Sequence, residues 1–424
     1  MHRSSTNWSL NDDIIGEVLC RLPGKRLVSC KRVSKTWKSL ISSPSILRAH
    51  FERSQHPSAI FVEQYDRGNF SLTFVNLDKK NTIKSLYFLP QEVDLVGSSN
   101  GLLCCTSSCN RFLYICNPLS EEWVAIILRP ERSTVTNTNI GFAFYPFGSS
   151  LLNPNPCFKL VCLHRTKLGN NYNNDPNNYV YSFWVYTSET GEWRRSKDVC
   201  PRGNFRIRKN NVIFVRNRFH WLTGEHHIIT FDVETELSSV IKLPGRVMQL
   251  NDLDMGRGGI CLGASSGFLH YVCSHPSEIR VWELKDYGEI SDEWVLKYNL
   301  NLNIDLVMEI KERFGLGCHV LEKFDELVKV EDETVANYLF SSLAYSEEVV
   351  FMKVDTVVFS YDFRSRELKE RYYLVQFHGV PLTDPTVIPY TICLAAAGVL
   401  KEIKNGKEIV NSSTEQEPKR RKYI

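Results

Sequence analysis

Apolar residues recur at two different periods along this chain. Between Asn11 and Pro44, Ile14, Ile15, Val18, Leu19 and Leu22 fall at i, i+1, i+4, i+5 and i+8, which makes one stripe on a helix. Asn11 or Asp12 supplies a side-chain oxygen to cap it, and Pro23-Gly24 ends it. A second short stretch holds Leu27, Val28 and Cys30. A third holds Val33, Trp37, Leu40 and Ile41 and is expected to stop at Ser42-Ser43-Pro44. Three short helices in about 40 residues bury too little surface to be stable alone. Their stripes must be shared between a small internal core and something else, either the rest of the chain or a partner protein. Exposed apolar surface on so small a unit reads as a docking face.

From about Ser58 the period changes to short runs of Val, Ile, Phe, Tyr and Trp, broken by Gly, Asn and Pro, the mark of many antiparallel strands. A phrase repeats beneath this pattern: an apolar strand, a small polar residue, a Ser or Thr soon after, and often a Trp. It reads LYICNPLSEEW (113–123), FWVYTSETGEW (183–193), IITFDVETEL (228–237), IRVWELKDYGEISDEW (279–294) and VVFSYDFRSREL (357–368), with a fainter copy at 72–83. Several copies have a second strand just upstream, as in SSNGLLCCTS and VRNRFHWLTG. With Asn117, Thr187, Asp232, Glu283 and Asp362 taken as equivalent, the intervals are 70, 45, 51 and 79 residues. The shorter ones match one four-stranded propeller blade. The longer ones hold insertions, the Asn-rich 167–179 and the partly helix-like, acidic 303–335. Six or seven blades closed into a propeller is the expected architecture, with Thr383–Ala397 returning to pair with the first blade. A β-sandwich array is the alternative, and the repeat-linked strand order argues against it.

Composition adds little. Of 424 residues, 51 are basic and 48 acidic, so the net charge of +3 points to neither nucleic acid nor membrane, and no basic stripe interleaves with aromatics. No run of about 18 apolar residues is present, and the first residues lack the apolar stretch of a secretory signal. The 13 cysteines include no C-x-x-C pair, and Cys104, Cys105, Cys109 and Cys116 are not at a zinc spacing. They are expected to be reduced core cysteines, with the sequons at Asn7, Asn69 and Asn411 unused.

Motifs that carry chemistry are missing: there is no G-x-S-x-G, H-E-x-x-H or P-loop. Gly256–Gly263 has the wrong spacing for a dinucleotide fingerprint and reads as a turn plus strand. His226-His227 has no third ligand in sight, and Glu121-Glu122 reads as a solvated turn. No catalytic or metal residue and no cofactor is assigned. Lys419, Arg420, Arg421 and Lys422, at the end of a polar tail, are compatible with a short nuclear-import signal or with a solvated end.

The segment Leu10–Pro44 resembles an F-box, in the form common in plant F-box proteins. Arg21-Leu22-Pro23, Lys25-x-Leu27 and Val33-Ser34-Lys35-x-Trp37 carry the likeness. The β region resembles the F-box-associated, kelch-like propellers of the same proteins, although the Gly-Gly doublets of kelch repeats are absent. The resemblance implies an α+β chain: a three-helix F-box at 9–50, an all-β propeller-like domain at 58–400 and a polar, basic, disordered tail at 401–424. It implies binding to the Skp-type adaptor of an SCF (Skp–cullin–F-box) ubiquitin ligase, and through it to cullin. Leu10, Ile14, Leu22, Pro23, Leu27, Val28 and Trp37 are the implied adaptor contacts. Ile15, Val18, Leu19, Val33 and Leu40 would pack the helices together.

Two positions depart from the F-box pattern, Asn11 where Pro is usual and Gly24 where a branched apolar residue is usual. Gly16 weakens the first helix by up to about 1 kcal/mol relative to Ala. The implied function is a non-catalytic substrate receptor, cytoplasmic or nuclear, whose target protein docks on the propeller. A propeller enzyme or glycan-binding lectin, with the helical segment as a mere cap, is the alternative.

Overall fold

The fold comes from a computed structural model, which describes residues 12–406 except 67–68, 79–81, 85, 129–138, 151–153, 168–178, 201–204, 206, 225–226, 245–258, 276–277, 288–291, 303–339, 355 and 375–383. Leu10, Asn11, His226, most of the Asn-rich stretch, the insertion at 303–335 and Lys419, Arg420, Arg421 and Lys422 lie outside the described residues.

Four helices, not three, open the described chain: α1 (Asp12–Leu19), α2 (Gly24–Cys30), α3 (Lys35–Ile41) and α4 (Pro44–Arg53). Pro23 precedes α2 with φ −54° and ψ 140°, so the residue that stops one helix starts the next. Ser34 caps α3 by accepting the amide of Trp37 at 3.0 Å. The third helix stops at Ser42 as expected, but the same residues start a fourth, which was not expected. Ser43 is the N-cap of α4 and Pro44 sits in its first turn, where the missing N–H has no helical partner to lose and φ is already set.

Among the described residues, β-strands follow until a 3-10 turn at Leu394–Ala396 and a further helix, α5 (Val399–Gly406). Residues 401–406 of the expected tail are therefore helical. Strands Val93–Ser99, Leu102–Ser107, Phe112–Asn117 and Glu122–Ile127 form one antiparallel meander. Ile140–Tyr145, Cys157–Lys167, Tyr179–Thr187 and Glu192–Cys200 form a second, and Ile207–Val215, Arg218–Thr223, His227–Asp232 and Ser238–Lys242 a third. The C-terminal strand Thr386–Tyr390 pairs antiparallel with Ala59–Asp66, from Ala59 opposite Tyr390 to Glu63 opposite Thr386. Asn69–Asn76 and Thr82–Lys84 complete that sheet, so the two ends of the β region close on each other as expected.

The remaining eight strands run from Ile260–Ser265 to Glu293–Asn301 and from Phe340–Ser346 to Glu367–Tyr373. They make one sheet, because Gly263 and Ala264 pair in parallel with Tyr345 and Ser346. Hydrogen bonding among the described residues therefore draws five sheets rather than six or seven separate ones. Each sheet's innermost strand touches the innermost strands before and after it, and the circle closes. The result is a propeller-like ring.

This geometry explains the uninterrupted apolar runs. Inner strands such as Leu102–Ser107 are buried on both faces, one against the preceding sheet and one against the next, while outer strands such as Glu293–Asn301 are largely exposed. Leu102 and Cys104 join Ile140, Phe142 and Phe158 in one seam, while Leu103 and Cys105 join Phe61 and Tyr390 in the seam behind. Neighbouring cysteines 104 and 105 thus point to opposite faces, and burial pushes the Cys104 thiol well up.

Candidate docking site

Helices α1 to α3 wrap a core of Leu19, Leu27 and Ile41, with Ile15, Leu22, Cys30, Trp37, Leu40 and Leu47 half-buried around it. The fourth buried member is Leu394, from the far end of the chain. His50 of α4, itself buried, holds the turn between α1 and α2 by donating from Nε2 to the carbonyl of Leu22 at 3.0 Å. Burial keeps this histidine's pKa below its usual value.

Four large apolar side chains of the module are exposed: Ile14 is 53% exposed, Val18 57%, Val28 48% and Val33 63%. A shallow depression of about 320 Å³ lies among Ile14, Glu17, Val18 and Arg21. Its acidic edge is fixed, for Glu17 pairs with Arg21 at 2.7 Å and with Arg53 at 3.1 Å, and these hydrogen bonds hold its carboxyl below the usual range.

Of the residues singled out from the sequence, Ile14, Pro23 and Val28 are exposed, and Leu22 and Trp37 are half-buried. Leu27 is fully buried in the small core, so in this chain it supports the face rather than forming it. Val18 and Val33, expected to pack the helices, face outward, since α1 turns its Ile15–Leu19 edge inward and Val33 lies in the turn before α3.

The module is not held by a linker alone. Phe51 of α4 meets Phe147 edge-on at 5.6 Å, and the Arg48 guanidinium lies 4.7 Å over the same ring. Thr391 donates to the carbonyl of Gln55 at 3.2 Å, and Ser58 accepts the amide of Ile392 at 3.1 Å. Asn117 donates to the carbonyl of Ala396, and Glu122 accepts from Gly398 and pairs with Lys401. Gly101, at φ +87°, has Cys393 so close that a Cβ there would lie 2.8 Å from the Cys393 amide. Nothing in the local sequence announced these anchors.

In the ring, Glu283 is bridged by Lys297 at 2.7 Å, contacts Lys285, and faces His270 Nε2 at 3.0 Å. Burial opposes its ionisation, but the two lysine hydrogen bonds outweigh it and hold the carboxyl down to about 2. Lys297 ties this group to Glu348 of the neighbouring meander at 3.3 Å, so the cluster bolts the two halves of the eight-stranded sheet together. Among the described residues no three His, Cys, Asp or Glu are grouped to hold a metal ion, and no helix is long and apolar enough to cross a membrane.

The described residues thus make a propeller-like ring with a helical module, bearing exposed apolar side chains, fixed to one rim. A family model described as F-box domain matches residues 8–49, and one described as F-box protein At3g26010-like, beta-propeller matches residues 77–323, more than half of the chain. The chain belongs to this family of F-box β-propeller proteins. Among its relatives in Arabidopsis thaliana, F-box protein At5g07610 is 28% identical over 312 residues, covering 69% of this chain and 70% of the relative. F-box protein At5g49610 is 29% identical over 305 residues, covering 69% and 79%. F-box protein At3g26010 itself is 26% identical over 320 residues, covering 69% and 68%.

Proposed function

We propose that this chain is the substrate-recognition subunit of an SCF-type ubiquitin ligase. The F-box captures a Skp-type adaptor, the adaptor links it to cullin, and the propeller holds a target protein. The carrying observation is the exposure of Ile14, Val18, Val28 and Val33 on a module whose own core is already filled. Surface of this kind on a small helical unit stays exposed at a free-energy cost unless a partner covers it. Leu22 and Trp37 pack half-buried against the small core, in which Leu27 is buried, and Pro23 is exposed. Counting the eight-stranded sheet as two four-stranded blades gives a six-bladed ring, the lower of the two numbers expected.

Topology supports one choice of target face. Helix α4 meets the ring at Phe147, and the C-terminal segment behind it meets the ring at Gly101, Asn117 and Glu122, all at one rim, where first strands turn into second and third into fourth. The connections that span 129–138, 168–178, 245–258, 303–339 and 375–383 leave from the opposite rim. The target is taken on that side, away from the adaptor. The ligase works in the cytoplasm or nucleus, and the basic run at 419–422 serves import.

The test is co-purification of the full chain with a Skp-type adaptor and cullin, beside the variants Ile14→Asp and Val28→Asp. Both residues are exposed, so the variants keep the ring's thermal transition. Capture by the wild type and loss in both variants supports the reading. Wild-type capture by both variants removes the assigned face, and no capture by the wild type removes the receptor role. The alternative, a cap on an enzyme or lectin, shares the packing of the module on the ring and parts from this reading at adaptor capture.

A further inference from the structure

Leu394 completes the core of a module whose other buried members are Leu19, Leu27 and Ile41. It is reached only at the end of the chain, directly after the strand that closes the ring. Ile392 beside it presses on the start of α2, within 3.0 Å of where a Cβ on Gly24 would stand. Gly24 in place of a branched residue, which looked like a defect in the sequence, is thus the space that Ile392 fills. Helix α2 carries Leu27 inward against the small core and Val28 outward on the docking face. Whatever sets α2 from behind sets the face in front.

We infer that residues 391–396 act as a positioning plug for the F-box, so that adaptor capture is licensed by closure of the propeller. Thr386–Tyr390 pairs with Ala59–Asp66, Tyr390 donates through its hydroxyl to the carbonyl of Gly101 at 2.9 Å, and the next residues enter the F-box core. A chain whose ring is open, or which ends early, has no Leu394 in that core and leaves α2 loose. Such a chain offers an incomplete docking face and does not recruit the ligase around an unfinished target site. This inference rests on the adaptor reading, but its structural half is tested without adaptor.

The experiment uses the full chain with Leu394→Asp and, as a milder change, Leu394→Ala. Amide exchange is followed in α1, α2 and α3 and in the strand Ala59–Asp66, and capture is measured with a purified Skp-type adaptor. The expected result is faster exchange in the three helices with the strand unchanged, and capture weakened by about tenfold or more. Wild-type exchange in the helices of both variants overturns the plug. Wild-type capture despite faster exchange overturns the licensing. Should Leu394→Asp disturb the ring as well, the Leu394→Ala comparison decides by the same two measures. If the wild-type chain captures no adaptor, the receptor reading fails, while the exchange result still decides the plug.

Discussion

The indole Nε1 of Trp193 donates to the carbonyl oxygen of Ile127 at 3.0 Å, crossing from the outer strand of one sheet to that of the sheet before it. Trp294 repeats the contact with Lys242, also at 3.0 Å. Trp193 and Trp294 of the repeated phrase are therefore stitches between neighbours rather than core residues alone. Trp193→Phe keeps most of the ring surface and loses the stitch. It should cost about 1 kcal/mol in urea unfolding, the ordinary net worth of one hydrogen bond. A loss below about 0.3 kcal/mol would assign the tryptophan to packing only.

Gly263 is where two meanders merge. A Cβ there would lie 2.2 Å from the carbonyl oxygen of Tyr345, closer than any side chain tolerates. Gly263→Ala must push the two inner strands apart, and a loss of roughly 2 kcal/mol or more in unfolding free energy is expected. Unchanged stability would mean that the parallel joint is not formed in solution.

Ring closure depends on the last strand. A chain cut after Leu374 loses Thr386–Tyr390, leaving Ala59–Asp66 as an open edge with Ile60 and Val62 uncovered. Size-exclusion chromatography should find aggregates. A monomer with a cooperative transition would show that closure is dispensable.

His220 is fully buried, with Nδ1 donating to the Ile213 carbonyl at 3.2 Å and Nε2 accepting from the Tyr287 hydroxyl at 2.8 Å. Burial, helped by the nearby Arg218 charge, brings its pKa down to about 4 from an ordinary 6.5. Between those values the unfolded chain binds a proton that the folded ring refuses, so stability falls as pH drops from 6.5 towards 4. The slope approaches ~1.4 kcal/mol per pH unit for this one group. His220→Gln should flatten that part of the stability curve, and an equally steep curve in the variant would assign the slope to other groups.

The repeated phrase marked real landmarks. Asn76, Asn117, Thr187, Asp232 and Asp362 each end the third strand of a meander, and each uses its side-chain oxygen to accept an amide two or three residues on. The choice of Glu283 in that series is corrected to Asp286. The strand Glu278–Asp286 carries a bulge at Lys285, and its end lies three residues later than the spacing suggested. Helices α1 to α3 were legible because their apolar period is local. The burial of Leu27 was not, since only Leu394, far away in sequence, closes the core over it. Helix α4 was hidden because a proline that ends one helix and a proline that begins the next look alike on the page.

The parallel joint between Gly263–Ala264 and Tyr345–Ser346 has an evolutionary reading. The two meanders it unites are already bonded through their backbones, so the ring's circumference does not depend on how many residues separate Leu302 from Phe340. Lengthening a connection between ends already held together adds little entropic penalty. Sequence drift in that stretch can alter what the molecule displays while leaving untouched what it is built from. Relatives should differ most there, in length before anything else.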